Sequence, residues 1–403
     1  MLNVGIVGCG YLPNPAVRGG AVETLVDLLV EENERERQLR MCVFSVYDER
    51  AEHAAQDFQS ADFQFIRIPR IVGFFDKVIH RIAKDVLKKT NSVSYRYILQ
   101  RLYFIQSVGK RLAGMSLDWV VLENHATLLR VLKVKDNRAK YRDKVIYHMH
   151  NEVHGVYGCS EELAECRRIF GVSDYVNRII VKSNPHSIKP DQLRVFRNKV
   201  DSAAFEKASS DGSRERIRKK LGISQGEKMI LFTGRICPDK GVLELVESFS
   251  QANIANARLV IVGAYFFGSE LKTAYEEKLR DEASRLGDRI LFTGYVDHAL
   301  MPAYYMASDV VVVPSVWDDP APLAIVEAIT AGKRIVTTNS GGIPEYARYG
   351  YATIVERGSI VSGLVSALRE AVEDCDKRGV IPEGWSQRGY YEDFLALLEE
   401  AAR

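Results

Sequence analysis

Two stretches of the chain bring charged groups to places where a phosphorylated ligand could use them. In Phe232-Thr-Gly-Arg-Ile-Cys-Pro-Asp-Lys-Gly241 an apolar, strand-like run ends in a glycine and then delivers Arg235 and Lys240 before a helical pattern begins. Gly234 frees the backbone, Arg235 offers a planar fork to phosphate oxygens, and Lys240 adds a compact point charge. Open α/β sheets bind ligands at the carboxyl ends of their strands, so this pair of cations suits a diphosphate. Val313-Pro-Ser-Val-Trp-Asp-Asp-Pro-Ala-Pro-Leu-Ala-Ile-Val-Glu-Ala328 sets Asp319 and Glu327 eight positions apart. Pro322 to Ala324 reads as a helix start, which leaves the N–H groups of Leu323 and Ala324 without intrahelical acceptors near two carboxylates. Such carboxylates accept hydrogen bonds from sugar and ribose hydroxyls while the N–H groups hold phosphate. Acids drawn to a helix N-terminus by its dipole would give the same pattern at about 0.3–1 kcal/mol each, so the acidic pair alone leaves both readings open.

The amino-terminal half has its own candidates. Gly5-Ile-Val-Gly8-Cys-Gly10 follows an apolar start and looks like the opening of a dinucleotide-binding unit. The third glycine of that fingerprint is replaced by Pro13, and Pro15 follows, so the helix is expected to start later, after Gly19-Gly20. Asp48 ends the second strand as an NAD-binding acid would, which keeps a nicotinamide enzyme among the alternatives. Gly19 and Gly20 lack Cβ atoms, so their N–H groups can approach an anion in front of a helix; a plain tight turn is the simpler reading. Asn124, His125 and His150 fall at the ends of two further strand-like runs, where ligands bind in such sheets. His148 reads as structural, because it lies further from its strand's end.

The elements that must position these residues are legible as alternation. Val4–Val7, Met41–Val46, Trp119–Leu122, Val145–Tyr147 and Arg178–Val181 read as buried parallel strands. A second series follows at Met229–Phe232, Arg258–Val262, Ile290–Phe292, Val310–Val313 and Arg334–Thr337, with helices between, such as 21–32 and 241–251. Two β/α series imply two doubly wound domains. The polar stretch Ser209-Ser-Asp-Gly-Ser-Arg-Glu-Arg lies in the break between them.

Composition bounds the rest. A chain of 403 residues with 46% hydrophobic and 27% charged residues suits two or three soluble domains; a net charge of +2 says little about partners, and no nucleic-acid partner is expected. Six scattered cysteines without a C-x-x-C pair offer no zinc or disulfide framework and fit a reducing, cytoplasmic compartment. The N-terminus lacks a signal-peptide pattern and no run approaches a membrane span. Residues 66–114 stand apart, with eleven Lys/Arg against two Asp, interleaved with Phe74, Phe75, Tyr95, Tyr97, Tyr103 and Phe104. A basic, aromatic, partly helical stretch fits an anionic membrane surface or a lipid-linked acceptor, or a solvated helical face over a core.

Taken in order, Gly19-Gly20, His150, Gly234-Arg235…Lys240-Gly241, Phe292-Thr-Gly-Tyr-Val296, Asp319…Glu327, Gly341-Gly-Ile-Pro-Glu345 and Trp385-Ser-Gln-Arg-Gly-Tyr-Tyr-Glu-Asp-Phe394 resemble the retaining glycosyltransferases of family 4. The resemblance runs the length of the chain and is strongest over 229–346. It implies a GT-B fold: an acceptor-side domain over 1–198, a nucleotide-sugar domain over 199–381, a helix over 382–403 crossing back, and a central cleft between the domains. It implies that Arg235 and Lys240 neutralise the donor diphosphate, that Glu327 holds the ribose, that the backbone near Tyr295 and Val296 meets the base, and that Gly19-Gly20 reaches the donor. Asp319 matches the first acid of the family's E-x7-E motif, one methylene shorter, and would contact the donor sugar. His150 matches a histidine near the reacting centre, and Asn124 and His125 would help form the acceptor site. The expected activity is metal-independent transfer of a hexose or N-acetylhexosamine from a nucleotide-sugar, a UDP-sugar by preference, with no bound cofactor. The acceptor would be a saccharide or lipid-linked glycan of surface-polysaccharide or lipopolysaccharide synthesis. The work would be done in the cytoplasm, peripherally on the inner face of its membrane. A sugar-nucleotide epimerase of the same architecture, an NAD-dependent oxidoreductase and a non-catalytic nucleotide-binding module are the alternatives.

Overall fold

A computed structural model describes residues 1–82, 97–264 and 274–403. It divides into two compact units, residues 1–197 with 391–403, and residues 198–390. Each unit is built on one wholly parallel sheet.

The first unit contains β1 (Leu2–Val7), β2 (Leu39–Val46), β3 (Ala61–Ile66), β4 (Trp119–Glu123), β5 (Val145–Met149), β6 (Arg168–Gly171) and β7 (Leu193–Val195), in the order β3-β2-β1-β4-β5-β6-β7. The order reverses at β1, which pairs with β2 on one side and β4 on the other, and a ligand crevice is expected at such a point. β1, β4 and β5 are almost continuously apolar because helices cover both faces of a parallel sheet. The helix Ala21–Glu36 follows Gly20, as the prolines in the preceding loop require. The C-terminal part of helix Gln387–Ala402 belongs to this unit: Tyr391 donates to Asn33 Oδ1 at 2.6 Å and Phe394 stacks on Phe196 at 5.8 Å.

The second unit contains β8 (Lys228–Thr233), β9 (Ala257–Val262), β10 (Ile290–Gly294), β11 (Val310–Val313), β12 (Arg334–Thr338) and β13 (Tyr351–Val355), ordered β10-β9-β8-β11-β12-β13. Side chains alternate across a pleated strand. Met229, Leu231, Val311 and Val313 therefore enter one core and Ile230, Phe232, Val310 and Val312 the other. Removing a valine from water is worth about 1.5–3 kcal/mol, so the Val310–Val313 run alone binds β11 firmly into both layers.

One expected strand is a helix. Arg178–Val181 lies in helix Asp174–Ser183, whose Ser173 accepts the Val176 N–H as an N-cap. Val176, Asn177 and Ile180 are its buried residues, a helical spacing, and the apolar triplet at 179–181 imitated a strand core. The neighbouring strands β6 and β7 carry the sheet instead. Of the basic stretch 66–114, residues 83–96, including Tyr95, lie outside the described residues.

Candidate functional site

The loops after β8 and β11 are locked together by a backbone contact that only glycine permits. Gly241 sits at φ +66°, and a Cβ there would lie 1.9 Å from the Pro314 carbonyl oxygen. Val316 donates its N–H to Asp239 O at 3.0 Å across the same junction. This close approach places Lys240, on the short 3-10 turn Pro238–Lys240, in an ion pair with Asp319 and 5.7 Å from the Trp317 ring centre. Asp319 is buried, while Arg235 is exposed just beyond Gly234. Gly341 and Gly342 fold onto the same acids: Gly341 N–H donates to Asp318 Oδ1 at 3.0 Å, and Gly342 N–H to Asp319 O at 2.8 Å. Asp318 also pairs with Arg357 at 3.0 Å. Both acids of the Asp318-Asp319 pair therefore already have cationic partners.

Glu327 lies in helix Leu323–Thr330, which opens at Pro322 with no side-chain cap, so its first N–H groups, at Leu323 and Ala324, are available to an acceptor from outside. Its two oxygens are held separately. Tyr305 donates to Oε2 at 2.6 Å and His298 Nε2 lies 3.0 Å from Oε1. The hydrogen bond to Glu327 raises the His298 pKa, outweighing burial. Tyr305 also touches Thr233 Oγ1 at 2.7 Å, which ties the carboxylate to the end of β8. Tyr295 and Val296, after β10, line a cavity of about 550 Å³ together with Phe292 and Asp297. Arg235, Lys240, Asp319, the 322–324 turn and Glu327 are thus all positioned from carboxyl ends of strands in one unit. Trp317, Tyr305 and His298 had no signal in the linear sequence beyond their nearness to Asp318 and Val296.

In the first unit, Gly19 and Gly20 have φ of +69° and +114° in front of helix Ala21–Glu36. A Cβ on Gly20 would meet Glu23 Oε2 at 2.2 Å. Burial raises the Glu23 carboxyl to about 7, and its Oε1 has no partner. Asp27, one turn on, is also raised to about 7 by burial, against hydrogen bonds from the Ala16 N–H and Asn14.

His150 is buried beside Glu123 and His148. One Glu123 oxygen, Oε2, lies 2.8 Å from His150 Nε2 and 3.0 Å from His148 Nδ1. Register explains the grouping, since Glu123 of β4 pairs with His148 of β5. Burial pushes the Glu123 carboxyl up, but the imidazoles, His148 foremost, outweigh it and hold it at about 2. An ionised carboxylate only accepts, so both facing nitrogens carry protons. Burial, with His148 repulsion, lowers His150 to about 4 despite Glu123. At neutral pH His150 is therefore the Nε2–H tautomer with a lone pair on Nδ1. His148 is thus one of three interacting groups, buried on the same carboxylate oxygen as His150. The ligand atoms of Glu123, His148 and His150 lie within 4.8 Å of one another, the spacing of a cation site, but the carboxylate oxygen between two N–H groups accounts for the arrangement without a cation.

Asn124 and His125 follow β4. Asn124 accepts Asn151 Nδ2 at 3.0 Å, and its carbonyl accepts the Tyr147 hydroxyl at 2.7 Å. His125 caps the turn Ala126–Lys133 through Thr127 and stacks on Tyr157 at 5.5 Å; burial, with the Arg101 charge, lowers it to about 4. Asp48 does not behave as an NAD-binding acid. Its Oδ1 accepts the Arg50 and Ala51 N–H groups as the N-cap of Glu49–Ala54, and its Oδ2 accepts Arg18 at 2.6 Å. A ribose would have to compete with both.

Comparison with known proteins agrees with this architecture. The protein YtcC of Bacillus subtilis strain 168 is 26% identical over 376 residues, 90% of this chain and 81% of that one. The lipopolysaccharide 1,2-N-acetylglucosaminetransferase of Salmonella typhimurium is 26% identical over 270 residues, 62% of this chain and 71% of that enzyme. The crystal structure of Anabaena Alr3699/HepE in complex with UDP and glucose superposes with a TM-score of 0.68 at 17% identity, covering 99% of this chain and all of the other. The two parallel-sheet Rossmann-like units are those of the GT-B fold. Residues 213–383, most of the second unit, match the family described as glycosyl transferases group 1.

Proposed function

We propose that the protein is a retaining glycosyltransferase that moves a hexose or N-acetylhexosamine from a UDP-sugar to a hydroxyl of a saccharide or lipid-linked glycan in surface-polysaccharide or lipopolysaccharide synthesis. The observation that carries this reading is the set Arg235, Lys240 and the uncapped 322–324 helix start, all at strand ends beside Asp319 and Glu327. The donor's bond from anomeric carbon to phosphate oxygen breaks and the bond from that carbon to the acceptor oxygen forms. The diphosphate gains negative charge as this happens, and fixed cations and N–H groups aimed at that charge lower the barrier. Glu327, steadied by Tyr305 and His298, holds the ribose hydroxyls. Asp319 takes a hydroxyl of the donor sugar while its other side binds Lys240.

Glu123, Glu23 and Glu152, the first unit's candidates for a covalent nucleophile, are each otherwise engaged. Glu123 is shared between two imidazoles, burial raises the Glu23 carboxyl to about 7, and Glu152 binds Tyr175 and His154. A front-face attack, with the leaving phosphate oxygen taking the acceptor's proton, fits this better than a two-step route. Asp318 and Asp319 are spent on Arg357 and Lys240, which supports transfer without a metal. Titration calorimetry in EDTA should show UDP binding that weakens about tenfold or more in Arg235→Ala, the loss of one charge-assisted bidentate contact. UDP binding that needs a divalent cation, or release of an epimerised UDP-sugar without any acceptor, would overturn the reading.

The membrane assignment rests on helix Arg70–Arg81. Ile71, Phe74, Phe75, Val78 and Ile82 are exposed at helical spacing, with Ile71 and Phe74 above 60%. On the opposite side Asp76 is buried and accepts the Leu99 and Gln100 N–H groups at 2.9 and 2.8 Å, which pins the helix to the start of Ile98–Gly114. Arg67, Arg70, Lys77 and Arg81 accompany the apolar face, so its partner is an anionic bilayer, met from the cytoplasmic side. Among the described residues no helix is long and apolar enough to cross a membrane. Phe74→Asp with Phe75→Asp should reduce co-sedimentation with phosphatidylglycerol vesicles about tenfold or more, given the apolar burial lost and the charge added. Equal binding of wild type to purely zwitterionic vesicles would contradict it.

A further inference from the structure

The carboxyl ends of β1, β2 and β3 enclose a cavity of about 490 Å³ that lies wholly in the first unit. Asn124 and His125, which follow β4, are not among its lining residues. Its walls combine three arginines with three tyrosines. Tyr11 and Arg18 come from the loop after β1, Tyr47 and Asp48 from the end of β2, Arg67 and Arg70 from the loop after β3, and Tyr97 from the turn before helix Ile98–Gly114.

The charges in this cavity are not all spent. Arg18 is bound to Asp48, the one carboxylate among the cavity's described lining residues. Arg67 lies over the Tyr47 ring, its guanidinium carbon 3.5 Å from the ring centre, and touches Glu52 at 3.3 Å through one terminal nitrogen. Stacking holds a guanidinium plane while leaving its edge N–H groups to an acceptor. Arg70 has no hydrogen-bond or ion-pair partner among the described residues. Beside these cations Tyr11 and Tyr97 stack at 6.1 Å with planes 19° apart, and Gln100 reaches the Gly10 carbonyl at 3.2 Å. The wall is therefore half cationic fork and half aromatic plate, the composition of a site for a ligand with a flat polar body and an anionic end.

We propose that this cavity binds the acceptor, and that the acceptor is a saccharide carrying a phosphate group, with the phosphate between Arg67 and Arg70 and the sugar against Tyr11 and Tyr97. This rests on the glycosyltransferase reading, which it narrows by naming the acceptor's chemical class. A phosphate presents several acceptor oxygens and up to two charges, which two guanidiniums lining one cavity can share and a neutral hydroxyl cannot use. Arg18 keeps its place through Asp48 and lends the cavity a third positive edge. The phosphate can belong to a free phosphosugar or to a polyprenyl phosphate whose sugar is presented at a bilayer. Arg70 is both a wall of the cavity and the first residue of the helix with the exposed apolar face, so either source can reach the same site.

The test is calorimetry at constant ionic strength on the full chain. Glucose 1-phosphate and N-acetylglucosamine 1-phosphate are compared with their methyl glycosides and with glucuronic acid. At least one phosphosugar should bind about tenfold or more tightly than its neutral counterpart, and Arg67→Ala and Arg70→Ala should each remove most of that difference, as expected for charge-assisted contacts. Both arginines are exposed, so neither variant threatens folding. A polyprenyl-phosphate-linked sugar in detergent micelles that binds more tightly than the soluble phosphosugar, and loses the excess in Phe74→Asp, identifies the lipid source; equal affinity identifies the free one. UDP affinity, measured on the same samples, reports on the donor site in the second unit. If UDP binds but no phosphosugar exceeds its neutral control, or glucuronic acid binds as tightly, or the arginine variants change nothing, the cavity assignment is wrong while the donor assignment stands. If UDP fails to bind, the glycosyltransferase reading itself has failed.

Discussion

Lys240→Ala will lower kcat by about 10²–10³-fold, the loss seen when one preorganised group that stabilises developing negative charge is removed. Lys240 has two tasks that can be separated. In the proposed function it meets the diphosphate, and in the structure it neutralises Asp319, which is buried and has no other cation among its described partners. Removing the lysine leaves an uncompensated carboxylate in the site, so anionic donor binding will suffer twice, from lost attraction and from new repulsion. The double variant Lys240→Ala with Asp319→Asn removes the repulsion alone. It should recover UDP affinity towards the wild-type value yet keep most of the kcat loss. Single-turnover rates and UDP affinity, read with thermal midpoints for all three variants, check this. Full recovery of kcat in the double variant would mean that the lysine acts only on Asp319 and never on the leaving group.

The parts of the fold that were legible are those where local and global demands agree. Runs such as Val310–Val313 are buried on both faces and are too short for helices, so parallel strands were the reading left. Edge and short strands were missed. β3 alternates Ala-Asp-Phe-Gln-Phe-Ile because it is an edge with one half-exposed face, and β7 is only three residues long. Arg178–Val181 misled because an apolar triplet inside an amphipathic helix has the composition of a strand; the Ser173-Asp174 cap was the signal against it.

The candidate site divides in the same way. Glycines, cations and acids that sit on strand-ending loops announce themselves, since the loop chemistry is local: Gly241 at φ +66° against Pro314 is a requirement written in one residue. Links made by sheet register do not. Glu123 and His148 are 25 positions apart and meet only because β4 and β5 pair in that register. Tyr305 reaches Glu327 from the preceding helix, and Arg67 reaches Tyr47 from the next strand's loop. Each of these partners is an ordinary residue until the sheet is assembled.

Glu123 supplies the second large effect, acting through His150 as a positioning residue. Its carboxylate takes a proton-bearing nitrogen from each of two buried imidazoles, so the tautomer of His150 is set by the carboxylate and the nitrogen left over, Nδ1, carries a lone pair. That lone pair can accept a hydrogen bond from a sugar hydroxyl or lie near developing positive charge, and a proton on Nδ1 would do neither. Glu123→Gln puts an amide in place of the carboxylate. Both rings face the one oxygen, Oε2: an amide that presents its NH₂ there must meet nitrogens that accept, which moves a proton to the far nitrogen of each ring, and an amide that presents its oxygen there accepts from both rings without the negative charge. The expected result is a fall in kcat of about 10–100-fold, the usual cost of losing a partner that orients a functional histidine, with UDP affinity unchanged. Loss of stability alone would not touch the tautomer, so long-range nitrogen–proton NMR of the imidazoles is the deciding readout: an Nε2–H signal for His150 in the wild type, altered in Glu123→Gln. The pH profile gives an independent check. With its pKa lowered to about 4 by burial and by His148, His150 stays neutral from pH 5 upward and should add no inflection to kcat there. The stability linkage has a matching sign. The depressed folded pKa of His150 means that its contribution is whole above the unfolded value near 6.5 and is lost as the pH falls from there towards 4, because the unfolded chain binds the proton more readily. A wild-type inflection in kcat near pH 6.5 that disappears in His150→Ala would show an imidazole titrating freely, and the positioning role of Glu123 would fall with it.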